Sequence, residues 1–178
     1  MSVLADRLLA VHDALDAAGL PHAFGGALAL AYCTEEPRGT RDLDVNVFVD
    51  PSRAAEVLRT LPPGVIVTEA DIVAAQSEGQ VRVWWEDTPI DVFFDVHHFH
   101  AEVAAGVRTV EFAGRTIPVL SCVALVVFKA LFNRTRDWAD IEAVVDAGAI
   151  DVVEASGWVA RLVGPDDAIT RRLASLAR

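Results

Sequence analysis

The sequence is short of several things, and each shortage narrows what the protein is. Among its 178 residues there is one lysine, Lys129, against 14 arginines. The only cysteines, Cys33 and Cys122, have no metal-ligand spacing, which leaves two buried, reduced thiols as the expectation. No apolar run approaches the ~20 residues that a membrane-spanning helix needs. Met1 to Ala10 carries Asp6 and Arg7 and no hydrophobic segment of the signal-peptide kind, so a cytoplasmic protein is the default expectation. There is no internal repeat, no low-complexity stretch and no flexible linker. The length suits one domain, or one domain with a small appendage.

Positive charge is also scarce. The formal net charge is −11, which disfavours broad, non-specific binding to nucleic-acid backbones. It leaves room for a local arginine patch, or for a phosphate ligand whose charge is carried by metal ions. An acidic surface also suits a cationic substrate or partner.

What is present has clear periodicity. Leu4, Leu8, Leu9, Val11 and Leu15 are spaced as on a helix that Gly19 and Pro21 end. His22 to Phe24 reads as a short strand running into Gly25-Gly26, and Ala27 to Tyr32 as a helix. Thr34 to Arg41 is a polar loop. Leu43 to Val49 reads as a strand, with Asp42, Asp44 and Asn46 sharing one side. Pro51 begins a helix with Asp50 as its cap. Val81–Glu86 and Ile90–Val96 form a hairpin turning around Asp87-Thr88-Pro89, and Val107–Phe112 and Thr116–Val119 another. Ser121 caps an apolar helix, Cys122 to Phe132. The remainder is helical. The expected fold is α/β in the α+β sense: a small mixed sheet flanked by helices over residues 1–120, then a helical C-terminal part, 121–178.

Three features of this layout bear chemistry. Asp42 and Asp44 leave the same side of a strand, with Cα atoms roughly 6.5–7 Å apart. Carboxylates so placed suit two divalent ions roughly 3.5–4 Å apart, as in in-line phosphoryl transfer, although a solvated strand face carries the same pattern. Gly25-Gly26, between a strand and a helix, lets backbone approach a phosphate closely, and equally serves a tight turn. Lys129 lies in a helix that is apolar all round, so it must snorkel to an edge or meet an anion. Asp91 or Asp95, on the second strand, supplies a third acid, and parity does not choose between them. Arg134, Arg136, Asp137 and Asp140 cluster at the next helix start. His97, His98 and His100 read as a surface loop rather than a zinc site.

Phe24-Gly25-Gly26 followed by Asp42-Leu43-Asp44-Val45 resembles the nucleotidyltransferase superfamily that shares the fold of DNA polymerase β. The fuller stretch, Gly25 to Leu30 and then Arg38-Gly39-Thr40-Arg41 before the acids, is similar to the bacterial toxin-type enzymes of abortive-infection and toxin–antitoxin systems. Lys129, Arg134 and Arg136-Asp137-Trp138-Ala139-Asp140-Ile141 match their downstream pattern. The resemblance implies that Asp42, Asp44 and Asp91 bind Mg²⁺ or Mn²⁺, and that Gly25, Gly26, Thr40 and Arg41 bear on the nucleotide. It further implies that Lys129 holds a phosphate and that Asp140 orients Lys129 or the nucleotide. It favours Asp91 over Asp95. The reaction implied is transfer of a nucleoside monophosphate from an NTP such as ATP to an acceptor hydroxyl. The toxin-type match points to tRNA as acceptor and to an antitoxin protein as partner. The alternatives are an aminoglycoside-type small-molecule transferase, which suits the −11 charge, and an inactive nucleotide-binding module. The nucleotide is expected between the two parts of the chain.

Overall fold

The structure is a computed structural model, and it describes every residue except Met1, Arg38 and Arg178. Its elements are α1 (Val3–Ala17), β1 (His22–Phe24), α2 (Gly26–Thr34), β2 (Leu43–Val47), α3 (Ala54–Thr60), β3 (Val65–Ile66), α4 (Glu69–Glu78), β4 (Gln80–Trp85), β5 (Thr88–Phe94), α5 (Phe99–Ala105), β6 (Arg108–Phe112), β7 (Arg115–Val119), α6 (Cys122–Phe132), α7 (Thr135–Asp146), α8 (Val152–Val163) and α9 (Ala168–Ala174). They form two compact units. The first holds Met1–Gly26 and Gly39–Val119, the second Ala27–Arg38 and Leu120–Arg178. No helix among the described residues is long and apolar enough to cross a membrane.

The first unit contains a mixed sheet in the order β3-β4-β5-β2-β1-β7-β6. β2 runs parallel to β5 and β1 parallel to β7, while the other neighbours are antiparallel. β5 shows why the strands sit as they do. Thr88, Ile90, Val92 and Phe94 are buried, and the intervening Pro89, Asp91 and Phe93 are half-buried. That alternation commits one side of the strand to the core and leaves the other for polar groups. Burial of each such apolar side chain contributes about 1.5–3 kcal/mol, which fixes the register. A one-residue slip would put Ile90 and Val92 where Asp91 now stands. Arg7, on α1, is buried and its guanidinium bonds Glu86, Asp87 and Thr88. It thereby ties the β4–β5 turn to the first helix.

The second unit is helical. Leu125, Val126, Val127 and Ala130 of α6 join Trp138, Ile141 and Val144 of α7 in its core, with Ala155, Val159 and Leu173 from the last two helices. Ser121 caps α6, its hydroxyl accepting from the Ala124 N–H at 3.2 Å. Asn133, in the left-handed region at φ 54, ends it and accepts the Trp138 indole N–H at 2.7 Å.

Several expectations need revision. Cys33 and Cys122 are not free thiols; they form a disulfide with Cα atoms 5.6 Å apart. Their separation of 89 residues hid the pairing from sequence reasoning. β3 and α4 occupy a stretch to which no element had been assigned. The β4–β5 turn is the two residues Glu86-Asp87, earlier than expected, with Glu86 at φ 52. His97 and His98 are exposed as a loop would have them, but His100 is buried in the first turn of α5. The strand carrying Asp44 ends at Val47, and Pro51–Arg53 is a 3₁₀ turn ahead of α3.

Candidate active site

The acids of the first unit come together through strand register. Asp44 on β2 and Asp91 on β5 are direct Cα partners on parallel strands. Directly opposed residues leave a sheet on the same side, with Cβ atoms about 4.5–5.5 Å apart. Asp42 lies one residue before β2, and the Thr40 hydroxyl donates to its carboxylate. Asp95 lies past the end of β5, its N–H bonded to Val49 O at 3.0 Å, so Asp91 is the acid beside Asp44.

Gly25 and Gly26 meet this group from the neighbouring strand. The Gly25 N–H donates to Asp44 O at 2.8 Å, continuing the β1–β2 ladder past Phe24. Gly26 starts α2 at φ +53, where L side chains are strained. A Cβ there would also overlap the Asp44 carboxylate. The side chain of Asp44 therefore occupies the space that a glycine leaves open, and the glycine pair and the acid depend on each other.

Sequence reasoning missed Arg82. It is the direct β4 partner of Asp91 and grips that carboxylate with both arms, Nε to Oδ1 at 2.7 Å and Nη2 to Oδ2 at 2.6 Å. The bond to Asp91, and then the charges of Asp42 and Asp44, hold the guanidinium more firmly protonated than an isolated arginine. The signal was available: a two-residue turn at Glu86-Asp87 places residue 82 opposite residue 91.

Three carboxylates and no nitrogen or sulfur donor make a set that suits a hard cation such as Mg²⁺. The cluster already draws a cation, the Arg82 guanidinium, and a Cβ-free backbone keeps room at Asp44. In both respects the residues fit a divalent ion. Asp91 is turned onto Arg82, and no three His, Cys, Asp or Glu side chains among the described residues converge as ligands. A metal held by all three acids requires Asp91 to share an oxygen with, or leave, Arg82.

Lys129 and Asp140 belong to the second unit. The Lys129 Nζ donates to Asp140 Oδ2 at 2.7 Å and lies 3.5 Å from Asp137 Oδ1. Arg134 binds Asp137 as well, Nε to Oδ2 at 2.6 Å. The Asp137 side chain is 1% exposed, and those of Lys129 and Asp140 are 12% exposed. Burial raises the Asp137 carboxyl, but Arg134 and Lys129 outweigh it and hold the group below the usual carboxylate value. Lys129 meets anions, as its apolar helix demanded, and these anions are its own neighbours. An ammonium has three donors, so these two contacts leave one for a further acceptor. Arg41 and Arg136 are exposed, and Arg38 lies outside the described residues.

No protein-family model matches the sequence, and no curated protein is similar to it. Solved structures are. ANT(2″)-Ia in complex with adenylyl-2″-tobramycin superposes with a TM-score of 0.62 at 14% identity, covering 98% of this chain and 98% of that one. The lincosamide antibiotic adenylyltransferase LnuA, lincomycin-bound, gives 0.55 at 13% identity over 80% and 96%. An antigenic nucleotidyltransferase-like protein from Paracoccidioides brasiliensis gives 0.56 at 14% identity over 99% and 95%. At these identities the likeness establishes the fold: the chain has the nucleotidyltransferase fold.

Proposed function

We propose that this protein is a metal-dependent nucleotidyltransferase whose acceptor is a small molecule carrying a hydroxyl group. The observation that carries the reading is the in-register pair Asp44–Asp91 beside a glycine that only a missing Cβ allows. Gly25 and Gly26 would present backbone to the triphosphate. Asp42, Asp44 and Asp91 would hold Mg²⁺ or Mn²⁺, which when bound supplies charge neutralisation to the phosphates. Asp91 accepts the proton of the acceptor hydroxyl. The acceptor oxygen forms a bond to the α-phosphorus of the NTP while the bond to the bridging oxygen breaks, and pyrophosphate leaves. Thr40 positions Asp42 before substrate arrives, while Arg82 holds Asp91 until a divalent ion displaces it. Positioning of this kind supplies most of the catalysis in phosphoryl transfer.

Charge favours a small acceptor over tRNA. The first unit, which carries the acids, has seven arginines against sixteen acidic residues. Two structures sharing its fold hold an adenylylated aminoglycoside and lincomycin, which supports the same choice. The test is transfer of label from each α-labelled NTP, with Mg²⁺ or Mn²⁺, into a panel of aminoglycosides and lincosamides and, in a separate arm, into total tRNA. The expected result is label in a small molecule. Label in tRNA alone would restore the toxin-type reading. Absence of both transfer and nucleotide binding would sink the enzyme reading altogether.

A further inference from the structure

We infer that Trp84 and Ile66 form the acceptor-binding shelf of this site, and that it takes a compact, polyhydroxylated ring bearing ammonium groups. The inference rests on the proposed transfer reaction and extends it to a specific surface.

Strand order carries the argument. From β1 the sheet runs β2, β5, β4, β3. Gly25-Gly26 follow β1, Asp44 lies on β2, Asp91 on β5, Arg82 and Trp84 on β4, and Ile66 on β3. The pairings Asp44↔Asp91, Asp91↔Arg82 and Trp84↔Ile66 place each set on one side of the sheet, and Arg82 and Trp84, two apart on β4, share it. These residues therefore lie on a single face in two rows, Asp44–Asp91–Arg82 and, two residues along the strands, Pro89–Trp84–Ile66. Strands are spaced about 4.8 Å, so Trp84 lies about 10 Å across the sheet from the strand of Asp44.

In-line transfer fixes which end of the face does what. The leaving pyrophosphate and the attacking hydroxyl lie on opposite sides of the α-phosphorus. If the triphosphate lies at Gly25-Gly26, the acceptor enters from the β4–β3 end. There the structure presents apolar surface rather than charge. Trp84 is 45% exposed and Ile66 65% exposed, and Pro89, the β5 partner of Trp84, is half-buried beside them. A core role would have buried an indole of this size.

The chemistry of the occupant follows from the surroundings. An indole face receives the apolar face of a ring and attracts a cation more strongly than other aromatic side chains do. Arg82, the nearest basic residue on this face, has its charge met by Asp91 on both arms. Around it the unit is strongly acidic. A cationic ring compound is drawn in, and an anionic acceptor is not.

The test is calorimetric binding of tobramycin, with the neutral sugar maltotriose as comparison, to the full chain and to Trp84→Ala and Trp84→Phe. Thermal melts check that the variants fold. Loss of the indole is expected to weaken tobramycin about tenfold or more, with the phenylalanine variant closer to wild type. Affinity for a non-hydrolysable ATP analogue should be unchanged. Equal tobramycin affinity in Trp84→Ala overturns the shelf. So does wild-type binding of tobramycin no tighter than maltotriose. A loss that falls on the ATP analogue instead would assign Trp84 to the nucleotide base and also overturn it. Asp44→Asn separates the two ideas: it should abolish transfer and keep tobramycin binding. If wild type transfers nothing yet binds tobramycin through Trp84, the transfer reading fails and the shelf stands.

Discussion

The two units handle charge in opposite ways. In the first, acids outnumber arginines sixteen to seven, and those of the proposed site line one half-buried face of a sheet. In the second, ten acids meet eight basic residues, and the charges that matter are buried and mutually satisfied. Lys129 between Asp137 and Asp140 is such a group, whereas Asp44 beside Asp91 is two like charges placed in register. A buried, paired charge has its counter-charge supplied by its own neighbours. Like charges aligned on adjacent strands repel, and they call for a cation; Arg82 already supplies one at Asp91. The first unit therefore carries the stronger signal for chemistry, and the second the stronger signal for stability.

Substitutions should split along that line. The largest effect is expected in the second unit, from reducing the disulfide or replacing Cys33 and Cys122 with alanine. A link across 89 residues restrains the unfolded chain by about 4.6 kcal/mol on the loop-entropy view. Chemical denaturation with and without reductant measures it. An unchanged midpoint would show that the link adds nothing to the unit.

Next is Lys129→Met. It leaves two buried acids with one cation fewer, and breaking a buried pair costs about 3 kcal/mol. The pH dependence sharpens the point. The Asp137 carboxyl is held below its ordinary value in the fold, so its contribution is full above that value and is lost as pH falls through the folded one. Without Lys129 the folded value rises, and acid unfolding should begin at higher pH. Circular dichroism during acid titration reads this. Stability near wild type, with nucleotide affinity lost, would instead make Lys129 a ligand first.

In the first unit, Gly26→Ala should preserve most of the stability and remove the activity. The methyl group pushes the Asp44 carboxylate aside, and displacements of that size cost at least about a hundredfold in rate. Label transfer at saturating NTP reads the loss. The smallest effect on stability belongs to Arg82→Ala, since a half-exposed pair is worth no more than about 1 kcal/mol. Its consequence is chemical. Asp91 is released, and Mn²⁺ binding, followed by electron paramagnetic resonance, should tighten. Weaker Mn²⁺ binding would mean that Arg82 orients Asp91 for the metal rather than competing with it.

How much of this was legible beforehand differed by unit too. Asp44 and the glycine pair were readable because strand parity and a Gly-Gly turn are local, whereas parity left Asp91 and Asp95 open and only the resemblance favoured Asp91. The Lys129 helix was readable from its uninterrupted apolar run. Arg82 was missed because the β4–β5 turn was placed too late, and register follows from the turn. The disulfide was missed because nothing local links residues 33 and 122. β3 and α4 were missed for a third reason: a two-residue strand and a helix with only Ile72 and Ala75 buried have almost no periodicity to read.

The central claim is that the row from Gly26 to Asp91 performs nucleotidyl transfer. The most direct measurement follows pyrophosphate release and label transfer together, in wild type and in Asp44→Asn, with an aminoglycoside acceptor and Mg²⁺. The account predicts one pyrophosphate per acceptor labelled in wild type, and neither in Asp44→Asn at unchanged melting temperature. Transfer that persists in Asp44→Asn would contradict it.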